Sequence, residues 1–276
     1  VVPGQAAVAG SIAVTTLLAS DLLGSDRAAG VAGACFTLGS AVTAVPLAVQ
    51  QRRRGRRPGL AWAFAVAAAG ASVAATGGQA RWFWLYLLGM FAFGAGQAAT
   101  LQSRYAAADL AAPQERARAI AAVVWIGAIG AGIGPVLSPA EQRLGEWIGL
   151  DRYIGPFVIA ALLMAVGAVA CTALLRPDPL VLAGGVDPHA DRVRPVRQVR
   201  TSAGVIRRSP GAVLGLASMA GSQAAMVAVM TMTPPHMKDH GHSDLSAFVI
   251  AVHVIGMFGF APLVGRLVDR IGSHRA

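Results

Sequence analysis

Few side chains in this sequence can do chemistry, and they sit in unusual company. His253 stands between Val252 and Val254, in the middle of a long apolar run. An imidazole titrates near neutral pH, and an ionisable group inside a membrane span is by default a functional candidate. The competing reading is a neutral histidine hydrogen-bonded to a neighbouring helix. Asp21, after Ser20 at the end of the first apolar run, is the other candidate for handling protons, or it simply faces water. Deep acids are otherwise missing from the apolar runs. His236, His240 and His242 beside Met237 have donor types for a soft or borderline metal ion. Lys238 opposes a cation there and no cysteine assists, so no metal site is assigned. There is no HExxH, no serine or cysteine nucleophile with a partner, no paired membrane acids and no P-loop. The sequence therefore offers no catalytic residue, no cofactor site and no direct use of ATP, and an enzyme is not expected.

The elements that must position these groups are membrane helices. The chain is 55% hydrophobic and 13% charged, with 33 glycines, and its mean hydropathy is +0.58, far from soluble globular composition. A net charge of +10 raises the prospect of a nucleic-acid partner. The arginines, however, lie in short clusters between uncharged runs, which is a topology signal, and no nucleic acid is expected. Cys35 and Cys171 fall inside apolar runs and build neither a disulfide framework nor a metal knuckle. About twenty apolar residues cross a bilayer core, and eight runs meet that length. They are 1–23, 28–49, 58–76, 82–103, 119–138, 154–175, 212–233 and 245–264. Continuous runs rich in Ala, Leu and Gly are helices rather than barrel strands. Eighteen of the 23 basic residues lie in the loops after even-numbered spans, which places those loops in the cytoplasm. Trp82, Trp84, Tyr86, Trp147 and Tyr153 then form an outer aromatic belt. The expectation is an all-α, multi-pass protein of the plasma membrane with the lipid bilayer as its surroundings. Residues 1–175 form a first bundle of six spans, 176–208 a cytoplasmic linker, and 209–276 the start of a second bundle.

Two basic turns recur at corresponding places. The later is Gly265-Arg266-Leu267-Val268-Asp269-Arg270-Ile271-Gly272-Ser273-His274-Arg275, and the earlier is Gln51-Arg52-Arg53-Arg54-Gly55-Arg56-Arg57-Pro58. Each is expected to be a tight turn between two spans. The pattern resembles the loop signature of the major facilitator superfamily, Gly-x-x-x-Asp-Arg-x-Gly-Arg-Arg. The later copy keeps Gly265, Asp269, Arg270 and Gly272; the earlier keeps Gly55 and Arg56 but has Ala48 and Arg52 where the first Gly and the Asp belong. In the fifth span, Gly130-x-x-x-Gly134-Pro135 looks like the core of the antiporter signature of drug-exporting members, departing from it at Ala121, Ser138 and Pro139. Ordinary small-residue packing would produce the same glycines.

The resemblance implies a helical transporter of two six-helix bundles. Only the first bundle and two helices of the second are present, so the chain is expected to be cut short after the eighth span and clipped at its start. It also implies a central cavity lined by the first, fourth and seventh helices. That makes Gln97 and Thr100 on the fourth, and Gln223, Met226 and Met230 on the seventh, candidate substrate contacts. Met90 replaces the arginine that the family links to proton transfer. Arg104 reads as a snorkelling helix end. A carboxylate at Asp269 is expected to pair with Arg270 and to face the positive end of a neighbouring helix. The function so implied is secondary active efflux of small hydrophobic or amphipathic molecules, coupled to protons, by alternating access. A metal or metabolite transporter of the same fold, or a transport-inactive sensor or scaffold, is the alternative.

Overall fold

The computed structural model describes residues 1–24, 29–187, 195–239 and 246–271. Among these the regular elements are helices. In chain order they are α1 (Val2–Leu23), α2 (Ala29–Arg54), α3 (Arg56–Gln79), α4 (Phe83–Asp109), α5 (Arg116–Trp147) and α6 (Gly155–Leu174). The short α7 (Pro179–Leu182) follows, then α8 (Pro195–Arg208), α9 (Pro210–Asp239), α10 (Ser246–Gly259) and α11 (Ala261–Ile271). Among the described residues six helices, α1 to α6, are long and apolar enough to cross a membrane.

Several helices run further than their apolar runs, α2 and α5 among them. α2 carries Arg52, Arg53 and Arg54 as its last turn, where cations suit the negative end of the helix dipole. α5 continues through Pro135 and Pro139 to Trp147 rather than ending at Ser138. Proline is tolerated in membrane helices because neighbours satisfy the freed carbonyls. The eighth expected span, 245–264, is instead divided between α10 and α11 at Phe260. Pro262 has no amide and crowds the carbonyl four residues back, so the helix stops and restarts. Gly265 to Ile271 is consequently the body of α11, not a tight turn. Val264, Leu267, Val268 and Ile271 recur at helical spacing and give the segment one apolar face.

The chain forms two compact units, residues 1–190 with 255–276, and residues 191–254. In the first, small residues let the helices close on one another. A Cβ at Gly70 of α3 would stand 2.4 Å from the Phe93 amide of α4. The fully buried Tyr86, Phe64, Phe93 and Phe157 fill what the glycines leave open. Tyr86 meets Phe157 edge-on, with ring centroids 5.7 Å apart, and donates its hydroxyl to Thr15 O at 3.1 Å. Phe36 and Phe93 join α2 to α4, their centroids 5.4 Å apart. The buried hydroxyls of α1 stay within their own helix: Ser11 donates to Ala7 O at 2.6 Å and Thr15 to Ser11 O at 2.9 Å. In hydrocarbon an unpaired hydroxyl is costly, and this back-bonding removes the cost. The second unit holds α8, α9 and the first part of α10.

Candidate functional site

The earlier basic turn is a helix–turn–helix corner. Gly55 separates α2 from α3 at φ 99°, ψ 170°, a conformation open to glycine alone. It also leaves room for a carboxylate, because a Cβ there would lie 2.3 Å from Asp178 Oδ2. Asp178 accepts from the amides of Arg56 and Arg57 at 3.1 and 2.7 Å, holding the first turn of α3. The same side chain caps α7 by accepting from Leu180 N at 2.9 Å. An anion at this end of a helix meets both orphan amides and the positive end of the dipole. Gly55→Ala is expected to destabilise the protein by about 1–3 kcal/mol, through backbone strain and displacement of Asp178. Thermal melting of the full-length protein in detergent checks this, and an unchanged melting temperature would refute it.

Arg56 is the hub of the corner. Its guanidinium makes a fork to Asp109, with Nε to Oδ2 at 2.8 Å and Nη2 to Oδ1 at 3.1 Å. The two side chains are only 16% and 15% exposed. Nη1 also donates to the buried Gln51 Oε1, and the Tyr105 ring lies 6.0 Å beneath the guanidinium carbon. The corner lacks the acid its own signature would supply at Arg52. Two carboxylates from elsewhere, at the end of α4 and just beyond α6, stand there instead. Neither Asp109 nor Asp178 was singled out from the sequence, although Asp178-Pro179 is a recognisable helix-start pair.

At the later motif Asp269 plays a similar part toward α5. Its Oδ1 accepts from Ala117 N at 3.1 Å and its Oδ2 from Arg118 N at 2.9 Å. The carboxylate therefore faces the N-terminus of α5, and its two oxygens are taken by amides rather than by Arg270, which is exposed. Gly265 brings α11 against α5: a Cβ there would be 2.7 Å from the Ala121 Cβ. Gly272 lies outside the described residues.

Gly130 and Gly134 belong to a stripe on α5 that packs on α1. A Cβ at Gly130 would stand 2.3 Å from Val2 O, and one at Gly134 2.6 Å from Ala6 O. Pro135 follows on the same helix. The buried stripe continues as Ser138, Glu141 and Gly145. Glu141 contradicts the expectation that no further acid lies in the spans. It escaped notice because the run was closed at Ser138, three residues short of it.

The cavity candidates divide between the units. Gln97 is half-buried on α4, and its Oε1 is buried without a partner. Thr100 is buried one turn on and donates to Gly96 O at 2.8 Å. Its hydroxyl abuts α1, where a Cβ on Gly4 would be 2.6 Å away. Met90, at the position of the family's arginine, is fully buried in the core. Gln223 is exposed and Met226 half-buried on α9, in the second unit; the Met230 side chain lies outside the described residues. His240 and His242 also lie outside them. Of the proton candidates, Asp21 is exposed at the end of α1 and paired with Arg81 at 3.0 Å. His253 is half-buried on α10, and its Nε2 is buried without a partner among the described residues.

Six apolar helices, glycine-lined seams and carboxylates on helix N-termini describe a helical, multi-pass membrane protein. The chain belongs to the Major Facilitator Superfamily, whose family model matches residues 4–276. The relatives it matches carry the names of transporters. It is 35% identical over 271 residues to the uncharacterized MFS-type transporter YdeG of Bacillus subtilis, covering 98% of this chain and 63% of that protein. It is 34% identical over 273 residues to a second such B. subtilis protein, YddS, covering 98% and 62%. To the riboflavin transporter RfnT of Brucella anthropi it is 31% identical over 242 residues, covering 87% and 57%. The chain thus spans less than two thirds of the length of each of these relatives.

Proposed function

We propose that this chain is part of a secondary active transporter that exports small hydrophobic or amphipathic molecules by alternating access, driven by protons. It supplies the first six-helix bundle, residues 1–175, a cytoplasmic linker at 176–208 and the opening helices of a second bundle at 209–276. The observation that carries the reading is the pair of carboxylates on helix N-termini. Asp178 on α3 and Asp269 on α5 join elements distant in sequence at one end of the bundle, through a few exchangeable hydrogen bonds. Contacts of this size can break and re-form in a transport cycle. Gln97 and Thr100, with Gln223, Met226 and Met230, face the substrate in this reading, and His253 and Asp21 remain proton candidates beside the acid considered below.

A second reading, a metabolite transporter, gains support from the likeness to a riboflavin transporter. The full-length protein in liposomes with an imposed pH gradient separates the two. Gradient-driven movement of ethidium above empty liposomes supports drug export, and movement of riboflavin alone supports the metabolite reading. No gradient-driven movement of either leaves the inactive scaffold. In the active protein Asp269→Asn is expected to slow transport several-fold with normal membrane insertion, because an amide offers the two α5 N–H groups one acceptor instead of two and no charge. An unchanged rate would remove Asp269 from the cycle.

A further inference from the structure

The buried face of α5 is built from Gly127, Gly130, Gly134, Ser138, Glu141 and Gly145. At helical spacing this is one continuous stripe, and a single carboxylate stands in it. Glu141 is 8% exposed, and its Oε2 is buried with no hydrogen-bond partner among the described residues. The atom points at α1: a Cβ on Gly10 would lie 3.2 Å from Oε2 and 3.3 Å from Gly134 O. The main chain of the same turn packs on α6, where a Cβ on Gly155 would lie 2.0 Å from the Glu141 carbonyl. Gly10 thus leaves the space this carboxylate fills, and Gly155 leaves room for the Glu141 main chain.

Among the described residues no cation is placed to hold an ionised carboxylate there. α1 carries one charged residue, Asp21, about 16 Å along the axis from Gly10, and Asp21 is taken by Arg81. α6 has no charged residue, and its Cys171 lies near the opposite end. α4 brings Tyr86, which donates to Thr15 O, and Arg104 and Asp109 at its far end. α11 meets only the start of α5, with Arg266, Asp269 and Arg270. On α5 and the loop after it, Arg143, Glu146 and Asp151 are exposed, and Arg152 donates to Gln142 Oε1 at 2.9 Å. None of these reaches Oε2. A charge left unpaired in such a place is strongly disfavoured, and the group sheds it by binding a proton.

We propose that Glu141 is a proton-binding site of the membrane domain, neutral while α1 and α5 are packed as here and ionised when that seam admits water. The proton enters and leaves through water at the tryptophan-bearing end, about 9 Å along α5 at Trp147. Opening and closing of the seam is thereby tied to proton release and uptake. The assignment deepens the transport reading and rests on it only for what the proton drives; proton binding itself does not depend on it.

Infrared difference spectroscopy of the full-length protein in lipid tests the site without any substrate. The carbonyl stretch of a protonated carboxyl is expected at acidic pH in the parent, lost at alkaline pH, and absent from Glu141→Gln. Spectra of parent and variant that coincide at every pH, or a band that pH does not change, would overturn the proposal. Should Glu141→Gln not fold, dicyclohexylcarbodiimide on the parent decides. Modification of Glu141 at acidic pH, at least tenfold weaker at alkaline pH, supports the site, and modification confined to other carboxyls refutes it. A titrating band in a protein that moves neither ethidium nor riboflavin keeps the proton site and removes the coupling. Gradient-driven transport without the band keeps transport and removes Glu141.

Discussion

Replacing Arg56 by Ala in the full-length protein is expected to cost about 3–5 kcal/mol, the usual result of removing one partner from a buried ion pair. Both oxygens of Asp109 lose their forked donor, and the buried Gln51 loses the bond to its Oε1. The order of variants is the sharper test. Arg56→Lys keeps the charge but not the fork and should fall between parent and Ala. Adding Asp109→Asn to Arg56→Ala should recover stability, because the stranded charge is then gone. Reversible unfolding in detergent with a denaturant measures all three. A cost below about 1 kcal/mol for Arg56→Ala would mark the pair as a surface contact, and a double variant no more stable than Arg56→Ala would refute the stranded-charge argument.

The second large effect is expected at Gly130. A side chain there meets the Val2 carbonyl at 2.3 Å, and a main-chain atom cannot swing aside as a side-chain end can. Gly130→Leu must therefore part α1 from α5, at more than the roughly 1–3 kcal/mol of ordinary overpacking. Gly132, two residues on, has nothing among the described residues within 4 Å of its Cβ position and serves as the control. Gly130→Leu should lose most of the monodisperse protein on gel filtration, and Gly132→Leu should behave as the parent. Equal yields from the two variants would show that the α1–α5 seam is not the tight contact described.

The contrast between these glycines shows where reading a sequence stops. Both stand in the same run, and spacing alone assigns Gly130 and Gly134 equally well to packing or to a signature. Only the backbone of α1 tells them apart from Gly132. The spans themselves were legible, because twenty apolar residues in a row leave few alternatives in a membrane. Their ends were not. Hydropathy stops at the first polar residue, whereas hydrogen bonding carried α2 on to Arg54 and α5 on to Trp147. That difference hid Glu141. It also turned the later basic motif from a loop into α11, since Pro262 placed the break before the motif instead of within it. That Asp269 would face a helix N-terminus could be argued from charge alone; which helix it was could not. Asp109 and Asp178 are short-range neighbours of Arg56 and Gly55 only after folding, being 53 and 122 positions away from Arg56 along the chain.

Pro135 and Pro139 stand one turn apart on α5, between the end held by Asp269 and the turn that holds Glu141. Each lacks the amide that would have bonded the carbonyl four residues earlier, so the carbonyls of Ala131 and Pro135 have lost their rungs in the helical ladder. A rod missing two adjacent rungs is compliant there and stiff on either side. α5 is thus two levers on one pivot. The half that begins beside Asp269 is clamped to α11 and α1, and the half that carries Glu141 packs on α1 and α6. Bending between them falls on the two prolines.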